Sequence, residues 1–383
     1  MVNTLASIVD DRHVVICCGT GGVGKTTTAA AIALEAARRG RRACVVTIDP
    51  AKRLANALGL EALSNAATSI DHGRWDPAGT SSGALFALML DPKHTFDGLV
   101  TRYAESAEQA ERILQNRFYR NISGALGGTQ EYMAMEKLHE LYSEGTFDIV
   151  VVDTPPTRHA LDFVDAPQRL LRLFDNRLFR IMMMPTRASM RVAGVALQTL
   201  LRTMSRVVGR EVVDDVIAFF RAFEGMEAGF RERAAHVQAL IADPNTAFVL
   251  VTTPRRDAVD EADYFANRLI ELDLDVEALI VNRVQPTFIT GDLEAVAERA
   301  GSATGPTADA YRLLIDLETV AKRERSEVGR VLERIPDTAT ALVPLLASDV
   351  HDLPGLAVIA QHVFRNPGTD TAGHVRDTEQ GPR

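Results

Sequence analysis

The chain has 383 residues, 46% hydrophobic and 24% charged, which is enough to bury the core of one large α/β domain with an insertion, or of two domains. Its formal net charge of -9 argues against the basic surface of a general nucleic-acid binder, so no nucleic-acid partner is expected. The three cysteines, Cys17, Cys18 and Cys44, make no Cys-x-x-Cys; this sets aside a disulfide framework and a cysteine-based zinc site, and points to the reducing cytoplasm.

Met1 to Asp10 lacks the basic segment and apolar core of a signal peptide. Short β-branched or apolar runs then predict buried strands at His13–Cys18, Ala43–Ile48, Leu85–Met89, Phe147–Val152, Ala247–Thr252, Val276–Val281 and Ala341–Leu345. Helical patterns fall between them, as at Thr26–Arg39 and Glu261–Leu272. Such alternation predicts right-handed crossovers and a mostly parallel sheet. Ser64 to Gly83, rich in Ser, Ala, Gly and Asp, reads as a loop. His94–Gly145 and Thr157–Ile241 carry no strand signal and read as helices. No apolar run reaches the ~20 residues of a membrane span. Asn366–Arg383, rich in Gly, Thr, Asp and Pro, reads as a disordered tail.

The strongest motif is Gly19-Thr20-Gly21-Gly22-Val23-Gly24-Lys25-Thr26, followed by Thr27. It fills every fixed position of G-x-x-x-x-G-K-[ST] between an apolar strand and a helix. Glycines let the backbone close around phosphate with its N–H groups inward, and the helix N-terminus adds positive potential. Lys25 is expected to reach the β- and γ-phosphates, and the Thr26 hydroxyl to ligate Mg²⁺. The second strand ends in Thr47-Ile-Asp-Pro-Ala51, where Asp49 is either a turn residue or the group that orients the attacking water. Phe147-Asp-Ile-Val-Val-Val-Asp153 ends a buried strand with an acid, a Walker-B pattern in which Asp153 holds Mg²⁺ through water. Thr154, Pro155, Pro156, Thr157, Arg158 and His159 continue it as a stiff turn placed to sense the γ-phosphate. ATP and Mg²⁺ are the expected cofactors. Asn282-Arg-Val-Gln285 lacks the acid that would accept a hydrogen bond from guanine, so ATP is preferred over GTP.

These motifs resemble the ArsA/GET group of anion-pump and tail-anchored-protein-targeting ATPases, within the deviant Walker-A class. The likeness spans about residues 12–365, closely in the nucleotide motifs and loosely in the helical part. It implies an α/β P-loop NTPase with a mostly parallel sheet flanked by helices and an inserted helical subdomain. Residues 1–92 with 146–156 and 242–365 would form the ATPase core, 93–145 with 157–241 the helical subdomain, and 366–383 the tail. It also implies a dimer, a contact of Asn282 with adenine, and an adenine-side loop at Val343-Pro344-Leu-Leu. The chain departs from the pattern at Thr20, where the class carries a signature lysine that reaches into the partner's site. It lacks the zinc-clamp cysteine pair, and carries Arg158 and Arg255 in place of the usual residues. A heterodimer with a paralogue that keeps the lysine is therefore expected over a homodimer.

Of ten methionines, eight lie between Met133 and Met226. Met182, Met183, Met184 and Met190 are candidates for an adaptable client-binding surface; core filling is the plainer reading. Arg169, Arg172, Arg177, Arg180, Arg187, Arg191, Arg202, Arg206 and Arg210 face one acid, Asp175. This basic stretch could meet an acidic partner, the flank of a client helix or, peripherally, anionic lipid; a solvated helix face, or salt bridges to the acid-rich remainder, is the plainer reading. The reading is an ATPase that couples Mg·ATP hydrolysis to movement of a client-binding helical part; the alternative is a partition or septum-site-like ATPase acting on membrane or DNA. Arsenite is not expected as the ligand, because soft metalloids want thiolates and the helical part has no cysteine.

Overall fold

The structure, a computed structural model, describes residues 4–49, 53–122, 129–155, 160–175, 209–289, 292–336 and 338–365. It places strands β1 (Val14–Cys18), β2 (Arg42–Thr47), β3 (Thr68–Ser69), β4 (Ala84–Met89), β5 (Ile149–Asp153), β6 (Thr246–Thr252), β7 (Val276–Val284) and β8 (Ala339–Pro344) in one 8-stranded sheet. Their order is β3-β4-β2-β5-β1-β6-β7-β8, and every pairing is parallel except β3 with β4. The continuous apolar runs are explained by burial on both faces: every residue of β1, β5 and β6 is buried.

Helix α1 (Leu5–Asp11) opens on a capping box in which Thr4 and Ser7 each accept from the other's backbone N–H. The alanine-rich helix α2 (Lys25–Arg38) lies against the sheet and is almost wholly buried; its small side chains allow close approach. On the same face packs α15 (Leu353–Val363). The other face is covered by α12 (Arg256–Glu271) and part of α14 (Pro306–Leu332), to which α13 (Leu293–Ser302) is joined.

The segment Ser64–Gly83 is not simply a loop. It holds β3 and a one-turn helix, α4 (His72–Trp75), whose Trp75 is fully buried and meets the His72 ring edge-on at 4.5 Å. The polar composition hid a single large apolar anchor. Helices α1, α13 and the 27-residue α14 add elements that the periodicity left unassigned.

In the described parts of 92–143, 160–175 and 209–241 the chain is helical: α3 (Arg53–Ala57) precedes them, then come α5 (Pro92–Tyr103), α6 (Ala107–Gln115), α7 (Arg117–Ile122), α8 (Thr129–Ser143), α9 (Ala160–Asp175), α10 (Arg210–Phe223) and α11 (Glu227–Ile241). These helices enclose their own aromatic cluster of Tyr119, Phe219, Phe220, Phe223 and Phe230. Three of them, α8, α9 and α11, belong to both cores, α9 through Val164 under the sheet and Ala166 in the helical cluster. Tyr132 and Met133 of α8 and Phe230 and Ala234 of α11 enter the helical cluster; Met135, Leu138 and Leu141 of α8 and Val237, Leu240 and Ile241 of α11 pack under the sheet. A buried ion pair between Glu136 and Arg233 joins α8 and α11 at the crossover point. Met133, Met135 and Met226 are fully buried, so for these three the core-filling reading holds. Met182, Met183, Met184 and Met190 lie outside the described residues, as do Arg177–Arg206 of the basic stretch and the expected tail 366–383. Among the described residues no helix is long and apolar enough to cross a membrane.

Candidate functional site

The carboxyl ends of β1, β2, β5, β7 and β8 converge on one cleft of about 590 Å³, where open α/β sheets take their ligands. It is lined by Gly22, Gly24, Lys25, Thr26, Thr27, Asp49, Asp153, Thr154, Asn282 and Pro344 of the sequence-predicted residues. Val23 does not face it; that side chain is buried in the core and anchors the loop.

Gly19 of the loop is required by contact with backbone, and Gly24 by its left-handed φ. A Cβ on Gly19 would stand 2.0 Å from the Val251 carbonyl oxygen. One on Gly24, at φ +97°, would stand 2.3 Å from the Asn282 amide nitrogen, on top of the roughly 1–2 kcal/mol that a left-handed backbone costs an L-residue. Gly24 is also the N-cap of α2 and offers no side-chain cap, so the first helical N–H groups stay available to an anion.

Lys25 is 6% exposed and curls back so that Nζ donates to the Thr20 carbonyl at 2.8 Å. Burial pulls its pKa down, while the Asp153 carboxylate pulls it up. At the foot of the loop Asp153 Oδ2 accepts from both Thr26 Oγ1 at 2.7 Å and Thr47 Oγ1 at 2.9 Å. The strand register sets this up, because β5 lies between β1 and β2 with Asp153 opposite Cys17 and Thr47. Burial raises the Asp153 pKa, with the two hydroxyl hydrogen bonds and Lys25 opposing it. Its other oxygen, Oδ1, is buried without a partner among the described residues. A buried, unmet carboxylate oxygen beside a threonine hydroxyl is the hard oxygen donor set that a magnesium ion takes, completed by phosphate and water. The residues present therefore fit Mg²⁺, which Thr26 and Asp153 would hold.

Asp49 is half-buried at the cleft wall just past β2, and its N–H donates to Thr47 Oγ1 at 3.3 Å. Thr47 thus braces both acids, a role that sequence reasoning missed; its signal was a threonine at the last position of a strand whose next acid is two residues on. Past β5, Thr154 donates its hydroxyl to the Cys17 carbonyl at 2.8 Å and Pro155 follows it. Pro156, Thr157, Arg158 and His159 lie outside the described residues.

At the other side of the loop, Asn282 donates Nδ2 to the Val23 carbonyl at 2.9 Å and accepts the Arg283 N–H at 2.9 Å. Arg53, Arg283, Val350 and His351 also line the cleft and were not singled out from sequence. Arg255, by contrast, is exposed, bound to Asp257 at 2.7 Å, and is not part of the cleft wall. The three cysteines are buried in β1 and β2; burial pushes the Cys18 and Cys44 thiols up to about 12.

The sequence profile of the family described as anion-transporting ATPase matches residues 12–302. The chain is 23% identical over 289 residues to the ATPase get3 of Pyrenophora tritici-repentis, an alignment covering 74% of this chain and 78% of that protein. It is 24% identical over 267 residues to an ATPase ASNA1 homolog of Dictyostelium discoideum, covering 70% of each. A 169-residue alignment to the ATPase GET3 of Malassezia globosa reaches 29% identity, over 44% of this chain and 46% of that protein. With a parallel sheet, a complete phosphate loop and the family's profile running through both, the chain belongs to the anion-transporting (ArsA) ATPase family.

Proposed function

We propose that the chain binds Mg·ATP in this cleft, hydrolyses it as part of a dimer, and couples the cycle to rearrangement of a helical subdomain, 93–145 with 157–241, that takes a protein or small-molecule client. One observation carries the reading: the Asp153 carboxylate is tied by Thr26 and Thr47 at one oxygen and left unmet and buried at the other, directly beneath a phosphate loop. In this reading Lys25 and the loop N–H groups hold the β- and γ-phosphates. Thr26 and Asp153 hold the metal, which supplies charge neutralisation on the phosphates when bound. Asp49 accepts the proton of the attacking water, and Asn282 and Pro344 face the base. No observation favours the membrane- or DNA-associated alternative.

Coupling is supported by the helices shared between cores, α8, α9 and α11. Strand β5 runs into the switch turn, and α8 packs on β5; a displacement of Asp153 by γ-phosphate would therefore reach α8, and through the Glu136–Arg233 pair α11. Hydrogen exchange across 129–143 and 227–241 should differ between the ADP state and a non-hydrolysable ATP state. Equal protection in both would remove the coupling.

The dimer reading rests on Thr20. An uncharged threonine cannot reach a partner's phosphate, so a homodimer would lack the trans cation in both sites. We favour pairing with a paralogue that keeps the lysine. Thr20→Lys should then raise the hydrolysis rate of the purified chain by about tenfold or more. Brisk turnover in the unmodified homodimer, with no gain from the lysine, would contradict the paired-subunit reading.

A further inference from the structure

The cleft has two ends. Asp153 on β5, Lys25 and Thr26 mark one; three strands past β1, Pro344 at the end of β8 marks the other, where Leu345, Leu346 and Val350 give apolar surface beside the polar Ser348, Asp349 and His351. A nucleotide held by its phosphates at Lys25 lies with its base toward β7 and β8. Arg283 stands between the two ends.

Its conformation is unusual. The β7–β8 register breaks between Val281 and Val284, and within that irregularity Arg283 has φ +60°, a region that costs a long side chain energy and persists only when neighbours enforce it. Asn282 enforces it by accepting the Arg283 N–H while its own amide is fastened to the loop. The guanidinium then reaches over to donate Nη1 to the Gly22 carbonyl at 3.2 Å. No acid among the described residues lies within ion-pair distance of it. The result is a planar cation braced at both ends on the cleft wall, with no counter-charge paired to it among the described residues.

We infer that Arg283 is a base clamp: its stem and guanidinium plane lie against the face of the bound purine, and it sets this chain's preference for purine nucleotides. Guanidinium planes stack on aromatic faces, and an ammonium does so less well. The larger purine offers more face than a pyrimidine. The inference rests on the Mg·ATP reading of the same cleft, and assigns Arg283 a task on the nucleoside that is separate from the phosphate contacts of Lys25.

The test is calorimetric titration of the unmodified chain, Arg283→Asn and Arg283→Lys with Mg·ATP, Mg·CTP and Mg·tripolyphosphate. Asparagine and glycine both suit φ +60°, so Arg283→Gly serves as a second neutral variant, and melting temperatures check that each variant folds. The neutral variants should lose ATP affinity by about tenfold, narrow the ATP-to-CTP ratio, and keep tripolyphosphate affinity within about twofold. Arg283→Lys should fall between. Unchanged ATP affinity in the neutral variants, or parallel loss of tripolyphosphate, would overturn the clamp. Failure of the unmodified chain to bind ATP at all would instead overturn the Mg·ATP reading, and the clamp with it.

Discussion

Lys25→Ala should weaken Mg·ATP binding by roughly 10- to 100-fold, as hydrogen bonds to charged groups are worth about 1.5–3 kcal/mol. The magnitude follows from where the ammonium sits. It is nearly inaccessible, so its contacts with phosphate are made out of bulk water, where charge-assisted hydrogen bonds are strong. Burial already lowers its pKa, opposed chiefly by Asp153 and less by Cys18, Cys17 and Asp49; a bound triphosphate would add to that compensation. Lys25→Arg keeps the charge but not the compact head that fits under the Thr20 carbonyl, and should recover little. Calorimetry reads both variants directly. An alanine variant that binds ATP as the unmodified chain does would remove Lys25 from the phosphate site.

The second large effect is kinetic. Asp49→Asn should lower the ATP turnover number by about 10²–10⁴-fold, the usual contribution of a general base, while ATP affinity changes only a few-fold. An interaction made in the transition state alone appears in kcat and leaves ground-state binding in place. Asp49 is placed for this: it stands on the cleft wall past β2, and Thr47 links its backbone to the Asp153 carboxylate. Asparagine preserves size and can still accept a hydrogen bond from water, but it cannot take the proton. Steady-state phosphate release, paired with the binding measurement, separates the two. Turnover that survives the substitution would make Asp49 a turn residue.

Much of this site was legible because steric and electrostatic demands fix residue types. Gly19 cannot be anything larger where Val251 presses against it, Gly24 holds a left-handed φ, and a buried strand ending in an acid, as at Asp153, needs a reason to exist. The strands of the parallel sheet were legible for a related reason: burial on both faces leaves unbroken apolar runs such as Val14–Cys18. Tertiary features were not legible. Thr47 became a site residue only through its register opposite Asp153. Arg283 looked like any arginine after a strand, because a left-handed φ and a reach to Gly22 leave no mark in one sequence. Trp75 and its one-turn helix were lost in a polar segment, and α14, which buries few of its 27 residues, carries too weak an apolar stripe to declare its length. In the methionine-rich stretch, Met133, Met135 and Met226 fill cores, and Met182, Met183, Met184 and Met190 lie outside the described residues.

The central claim is that this cleft takes Mg·ATP through the loop and Asp153. Titrating the unmodified full chain with ATP by calorimetry, with and without magnesium, tests it most directly. The account predicts saturable binding, weakened by at least about tenfold when magnesium is withheld, since Asp153, with its buried unmet oxygen, and Thr26 would hold the ion, which would neutralise phosphate charge. An absence of saturable heat, or an affinity that ignores magnesium, would contradict it.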